Sequence, residues 1–203
     1  MRYSCPMTRS ATLPADDPDG VPGDLVVALV NTWGTTPRAV AGEEAEPFPK
    51  FDRLCTTFGL KPARFGFRPR DADLVEIADA LYPVFAESSD AARVRMLNGL
   101  LASVDPTPQL VRAGDGWALT WSMPAGSRRL LGACALTLLA FTVRQADIQR
   151  LGICSGDQCA DVYMDASPPG RRRFCDISCQ NRARVAAFRQ RNRLKRGTPD
   201  SRR

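Results

Sequence analysis

Four of the seven cysteines in this 203-residue chain lie close together near its C-terminal end. Cys154 and Cys159 form one pair, and Cys175 and Cys179 form a second pair, with fifteen residues between the pairs. Thiolates are good zinc ligands, and two close pairs joined by a hairpin-length spacer can surround one tetrahedral ion. We therefore expect these four side chains to hold a single structural Zn²⁺.

Two other chemistries use the same residue types. Two disulfides suit a secreted protein, but the first 23 residues are polar and lack the apolar core of a secretory signal. An iron–sulfur cluster also takes four thiolates, although its usual spacings are C-x2-C and C-x4-C-x2-C. Zinc is the favoured interpretation at this point, with an iron–sulfur cluster or a redox-active disulfide as the alternatives.

The sequence contains no histidine. This excludes Ser-His-Asp and Cys-His triads, His-ligated zinc and a haem held by histidine. Neither a phosphate-binding loop nor a glycine-rich dinucleotide motif is present. We expect no enzymatic activity. The longest uncharged run, residues 130–143, is shorter than the ~20 residues that cross a bilayer, so we expect a cytoplasmic protein with no membrane partner.

Positive charge is concentrated around the cysteines. Residues 150–203 carry a net charge of +8, whereas residues 1–149 carry −2. The segment after Cys179 is predicted to form a helix with basic side chains on two sides, which favours a polyanionic partner. A single presented helix suits the major groove of double-stranded DNA. The predicted DNA contacts are Arg171, Arg172, Arg173, Arg182, Arg184, Arg189, Arg191 and Arg193.

Two details of this basic helix are predicted from its sequence. Val185 and Phe188 share the arc between the two basic sides, so we expect them to seat the helix on the zinc-bound hairpin. Asn181 is expected to cap the helix rather than to read a base.

The elements that must position this site are mainly helical. A helix is predicted over 25–33, with Asp24 as its cap. Asp71 is expected to cap a second helix whose apolar stripe runs from Leu74 to Phe85, and Pro83 is expected to kink it or end it early. Asp90 is expected to cap a third helix, which Pro106 ends. Residues 35–49 read as a loop. Residues 109–122 form a hairpin pattern whose alternating Trp117, Leu119 and Trp121 indicate a buried face. Residues 126–150 are predicted to form a further helix, which is apolar on nearly all sides through 130–143 and is expected to be the central helix of the body.

The cysteine-rich segment resembles the CGNR zinc finger of bacterial regulators. The shared features are Asp165-x-Ser167, Arg172-Arg173-Phe174-Cys175 and Cys179-Gln180-Asn181-Arg182-Ala183, with Gln180 in place of the family's glycine. The N-terminal segment Val27-Ala28-Leu29-Val30-Asn31-Thr32 is similar to the opening of the ABATE domain, with Ala28 in place of aspartate. The resemblance implies a stress-induced transcription regulator that binds DNA.

These observations predict a mainly α protein with a small β-hairpin and a C-terminal zinc-ribbon-like ββα module. The expected organisation is a disordered leader (1–23), a helical ABATE-like domain (24–149), a CGNR-type finger with its basic helix (150–196) and a disordered tail (197–203). The expected function is zinc-dependent regulation of transcription through DNA, with the transcription machinery as a further partner. The alternative is a zinc module for RNA or protein binding, with thiol redox sensing. The sequence does not indicate an oligomeric state.

Overall fold

The computed structural model describes residues 20–196, with side chains through residue 192. Most of the predicted leader and all of the predicted tail therefore lie outside the described residues. Helices dominate the described part, as predicted. They are α1 (Gly23–Trp33), α2 (Thr35–Ala41), α3 (Phe51–Thr57), α4 (Asp71–Ala86), α5 (Asp90–Val104), α6 (Ser127–Gln145) and α7 (Ile177–Arg196). The strands are β1 (Thr107–Ala113), β2 (Gly116–Ser122), β3 (Leu151–Ile153) and β4 (Val162–Met164). Strand β1 pairs with β2 and β3 pairs with β4, both antiparallel, in two separate sheets.

The core of the helical body forms around α6, as the sequence predicts. Leu130, Cys134 and Phe141 are buried along this helix, and α1, α4 and α5 pack against it. Burial of these apolar side chains is the main source of the body's stability. In the described part of the chain, no helix combines the length and apolar character needed to cross a membrane.

Helix starts follow local hydrogen bonding, with small corrections to the sequence prediction. α4 and α5 begin at Asp71 and Asp90 themselves, so these residues are not the caps. Ser89 caps α5 by accepting from the backbone N–H of Ala92 at 3.4 Å. α1 begins at Gly23 without a side-chain cap, which corrects the role expected of Asp24. Pro83 does not end α4, which continues to Ala86 because Val84 and Phe85 are buried in the core.

Helix α2 is missing from the sequence prediction, which gave residues 35–49 as a loop. Its start is held by a distant residue, because the carboxylate of Asp79 in α4 accepts from the Thr35 backbone N–H at 2.7 Å and from its hydroxyl at 3.0 Å. The buried guanidinium of Arg38 donates to backbone carbonyls of Thr32 and Glu43. These tertiary contacts stabilise a segment whose own composition favours a loop.

The β1–β2 hairpin forms as predicted, but its apolar face is not buried. Ala113 pairs with Gly116 at the turn and Leu110 pairs with Leu119. Trp117 and Leu119 are 67% and 51% exposed and Trp121 is half-buried, so the prediction of a buried face is wrong. Leu110, opposite Leu119, is 71% exposed. Alternation identifies which side chains share a face of a strand, but it does not show whether another element covers that face.

The short β3–β4 hairpin is built into the body. Leu151 and Val162 are fully buried, and together with Met164 they belong to the same apolar core as α1, α4 and α6. The strands pack against α1 and α4. The position of the cysteine-rich segment is therefore fixed by the core of the helical body.

Candidate metal centre and nucleic-acid interface

The four predicted zinc ligands come together at the free end of the β3–β4 hairpin. Cys154 follows β3, Cys159 precedes β4, Cys175 precedes α7, and Cys179 lies in the first turn of α7. Their Sγ atoms all lie within 4.8 Å of one another, and all four are free thiols. The first pair thus lies within the loop of this hairpin, and the spacer between the two pairs contains a single strand, β4.

The sulfur positions fit a tetrahedral ion. A Zn–S distance of about 2.3 Å places the sulfurs of a regular tetrahedron about 3.8 Å apart. The Sγ atoms of Cys159 and Cys175 are 3.7 Å apart, and those of Cys175 and Cys179 are 3.5 Å apart. The donor set and its size are therefore those of a four-cysteine zinc site, which can hold one zinc ion.

Ionisation of the four thiols depends on a bound cation. Burial raises the pKa of the Cys159 thiol to about 12, and the charge of Asp161 adds to this effect. Burial opposes ionisation of Cys154 as well, but hydrogen bonds from backbone N–H groups outweigh it and lower the pKa of this thiol. Four thiolates can coexist here only with a divalent cation, which deprotonates the thiols that coordinate it.

Backbone and side-chain donors surround the sulfurs. The N–H of Gly156 donates to Cys154 Sγ at 3.4 Å, and a Cβ at Gly156 would lie within 3.5 Å of the Sγ atoms of Cys154 and Cys179. A glycine therefore allows the backbone to approach the cluster. A side chain also contributes, because Nη2 of Arg182 donates to Cys179 Sγ at 2.8 Å. Such outer donors orient metal ligands and stabilise their negative charge.

The Asp165-x-Ser167 segment forms a buried polar turn. The Asp165 carboxylate is 2% exposed and accepts from the N–H of Ser167 at 2.9 Å, its hydroxyl at 2.5 Å and the N–H of Arg172 at 2.7 Å. The Arg150 guanidinium donates to the Ser167 carbonyl at 2.6 Å. This network fixes the path of the chain from β4 toward the second cysteine pair.

Arg172 closes that path with its side chain. Its guanidinium donates to the carbonyls of Phe174 at 2.9 Å, Met164 at 3.3 Å and Cys175. Its own carbonyl accepts from the Tyr163 hydroxyl at 2.7 Å. Arg172 thus ties β4 to the second cysteine pair, and a contact from this side chain to DNA stays a prediction.

The other predicted DNA-contacting arginines are placed in two groups. Arg171 and Arg173 are exposed on the loop before Cys175. On α7, Arg182 is held by Cys179, and the Arg193 side chain lies outside the described residues. The exposed arginines that complete the second group are Arg184, Arg189 and Arg191.

Two details predicted for α7 are wrong. Val185 and Phe188 do not seat the helix on the hairpin, because they are 48% and 57% exposed. Asn181 does not cap α7, because the helix begins four residues earlier at Ile177. There the carboxylate of Asp176 accepts from the N–H of Cys179 at 2.8 Å and satisfies one of the free donors of the first turn.

Two residues that position the site were not singled out for this role by the sequence. Asn31 in α1 pairs with the backbone of Val162 in β4, donating to its carbonyl at 3.1 Å and accepting from its N–H at 2.7 Å. Arg93 in α5 is 6% exposed and donates to the carbonyls of Ile148 and Leu151, both at 2.7 Å. The only sequence signal was the similarity of the Asn31-Thr32 segment to the ABATE domain, which did not indicate a partner.

Comparison with known families agrees with the geometry. Residues 150–192 match the CGNR zinc finger, and residues 23–144 match the ABATE family, described as "Putative stress-induced transcription regulator". These are regulatory and metal-binding families and not enzyme families. A search of curated proteins finds no match. Both resemblances seen in the sequence, and their order, are confirmed. Because the second match spans more than half of the sequence, the chain belongs to the ABATE family, and it carries a CGNR zinc finger at its C-terminal end.

Proposed function

We propose that this protein is a zinc-dependent, DNA-binding transcription regulator. In this proposal residues 150–196 hold the metal and contact double-stranded DNA, and residues 24–149 form the regulatory domain. The protein would act in the bacterial cytoplasm, with the transcription machinery as a further partner, and the proposal assigns it no catalytic step.

The observation that carries this proposal is the exposure of α7. This helix has 20 residues, which corresponds to a length of about 30 Å. Cys179 in its first turn is 2% exposed, whereas Arg184, Arg189 and Arg191 further along are exposed. A long helix that leaves the zinc centre and presents its side chains to solvent can enter a DNA groove without rearrangement of the body.

The charge of α7 supports the same partner. The helix contains no aspartate or glutamate along its whole length, so its arginines have no acidic neighbour within the helix. Arg171 and Arg173 add positive charge on the loop that precedes it. Contacts from such side chains to phosphates release counterions and drive binding to nucleic acid.

Binding of the full-length protein to a labelled DNA duplex, measured by fluorescence anisotropy at several salt concentrations, tests the proposal. We expect zinc-loaded protein to bind and chelator-treated protein to lose binding. The double variant Arg189→Ala/Arg191→Ala should bind more weakly, and the slope of log K against log salt should fall by about 1.8, since each phosphate contact contributes about 0.9. The matched control Arg95→Ala/Arg128→Ala removes two exposed charges from the body and should bind as the wild type does.

Two results would contradict the proposal. If the zinc-loaded wild type did not bind duplex DNA, the DNA-binding function would be wrong. If both double variants lost the same affinity, net charge alone would explain binding, and α7 would not be the contacting element.

A further inference from the structure

One arc of α7 carries polar and apolar side chains but no charged ones. At 100° per residue, Asn181, Val185, Phe188 and Asn192 fall within about 60° of one another around the helix. All four are exposed, including the two apolar side chains that the sequence predicted to be covered. These four residues form the reading arc of α7.

The reading arc faces away from the zinc centre. The buried or half-buried residues of α7 are Cys179, Gln180, Ala183 and Ala187, and these positions lie between about a third and half a turn from the arc. An open depression lined by residues that include Asn181, Val185 and Arg189 lies beside it. The arc is therefore free to meet a partner while Cys179, in the first turn of α7, stays attached to the metal module.

Arginines border the reading arc on both sides. Arg184 and Arg191 lie on one side and Arg189 lies on the other, all exposed. A helix in the major groove, which is about 12 Å wide, directs one arc to the base edges and its two flanks to the phosphates of the two strands. This distribution of charge fits duplex DNA better than it fits an apolar protein groove.

The residue types of the reading arc have known preferences among base pairs. Asparagine can pair with both N6 and N7 of adenine, and apolar side chains contact the 5-methyl group of thymine, whereas guanine is read mainly by arginine or lysine. We propose that α7 reads A·T base pairs in the major groove, with Asn181 and Asn192 toward adenine and Val185 and Phe188 toward thymine methyl groups. This inference rests on the proposed function, because it specifies which DNA the protein recognises.

Selection of binding sites from a random duplex library with the full-length, zinc-loaded protein is the first test, and the selected sites should contain A·T pairs. The second test replaces thymine by uracil at those pairs, which removes only the methyl groups. Wild-type affinity should fall by up to about fourfold for each thymine methyl group that the protein buries. Replacement of adenine by 7-deazaadenine, which removes N7, should cost about five- to hundredfold.

Variants then connect each loss to a side chain. Val185→Ala and Phe188→Ala should bind the thymine and uracil duplexes more nearly alike than the wild type does. Asn181→Ala should become less sensitive to 7-deazaadenine. Val143→Ala is the matched control, because Val143 is 71% exposed on α6, and this variant should keep the full wild-type discrimination.

The outcomes separate this inference from the function on which it rests. Selected sites dominated by G·C pairs, or equal wild-type affinity for the thymine and uracil duplexes, would overturn the reading of A·T pairs. Salt-sensitive, zinc-dependent binding without any preference for sequence would also overturn it, yet would leave DNA binding intact. Failure to bind any duplex, or binding only to RNA or single strands, would overturn both.

Discussion

Replacing Asn31 by alanine tests how the helical body holds the zinc module. The Asn31 amide makes both hydrogen bonds of the Val162 backbone on this side of β4, at 3.1 and 2.7 Å. Val162 is fully buried. Alanine offers neither a donor nor an acceptor, so the variant leaves one buried N–H and one buried carbonyl without these partners.

The size of the effect follows from those two groups. A buried backbone group that loses its partner costs about 1–3 kcal/mol. Asn31 itself is only half-buried, so water can reach part of the gap and reduce the penalty. We therefore expect Asn31→Ala to lower the free energy of unfolding by about 2–4 kcal/mol. Asn31→Asp should fall between the wild type and the alanine variant, because it keeps the acceptor for the N–H but sets a carboxylate against the carbonyl.

Urea denaturation of the zinc-loaded full-length proteins measures the loss, and hydrogen exchange at the Val162 amide locates it. Asn98→Ala is the matched control, since Asn98 is an exposed asparagine in helix α5. The control should change stability little, because surface substitutions are usually within about 0.5 kcal/mol. Equal stability of the two alanine variants, together with unchanged exchange at Val162, would refute the role of Asn31 in holding β4.

Three further predictions follow from the same contacts. Chelation of zinc should expose the amides of 154–161 and 175–179 to exchange, while the amides of β3 and β4 stay protected by the body core, as exchange mass spectrometry can show. Burial opposes ionisation of Asp165, but hydrogen bonds from Ser167 and Arg172 outweigh it and lower its pKa. The stability that this carboxylate contributes is therefore fully present above its unfolded pKa of about 3.9, and it is lost as the pH falls through the lower folded pKa. Urea denaturation at several pH values between 2 and 5 should show the free energy of unfolding falling more steeply with acid for the wild type than for Asp165→Asn. Trp33→Ala should lower the free energy of unfolding by about 3–5 kcal/mol, because this ring is fully buried. Trp117→Ala should lower it by less than about 1 kcal/mol, because this ring is 67% exposed. Thermal or urea unfolding measures both losses, and equal losses would contradict the exposure of the hairpin.

The metal site could be predicted because its signal is local and chemical. Four thiols at two short spacings already limit the chemistry to a few choices, and the absence of histidine removes the mixed cysteine–histidine sites. The central helix α6 was predictable for a similar reason, since a long apolar segment must be covered on most sides. In both cases the residues that determine the structure are close together in sequence.

The features that sequence reasoning missed depend on contacts between distant residues. Helix α2 starts where Asp79 binds Thr35, a contact across 44 positions, and Asn31 meets Val162 across 131 positions. The exposed hairpin face reflects the absence of such a contact, because in the described part of the chain no element covers Trp117 or Leu119. A pattern of residue types shows what a segment can bury, but tertiary packing decides what is buried.

The zinc module is better understood as an extension of the body than as a separate finger. Apolar side chains of β3 and β4 complete the body core, and Asn31 and Arg93 bind the backbone of the same two strands. The cysteines lie at the far end of this hairpin, and α7 leaves from the last of them. The first turn of α7 is thus connected to α1 and α5 through buried contacts and the metal site, and no unstructured linker separates α7 from the body. A fragment cut at residue 150 would lose the core that covers Leu151 and Val162, so the proposed binding to DNA must be measured on the whole chain.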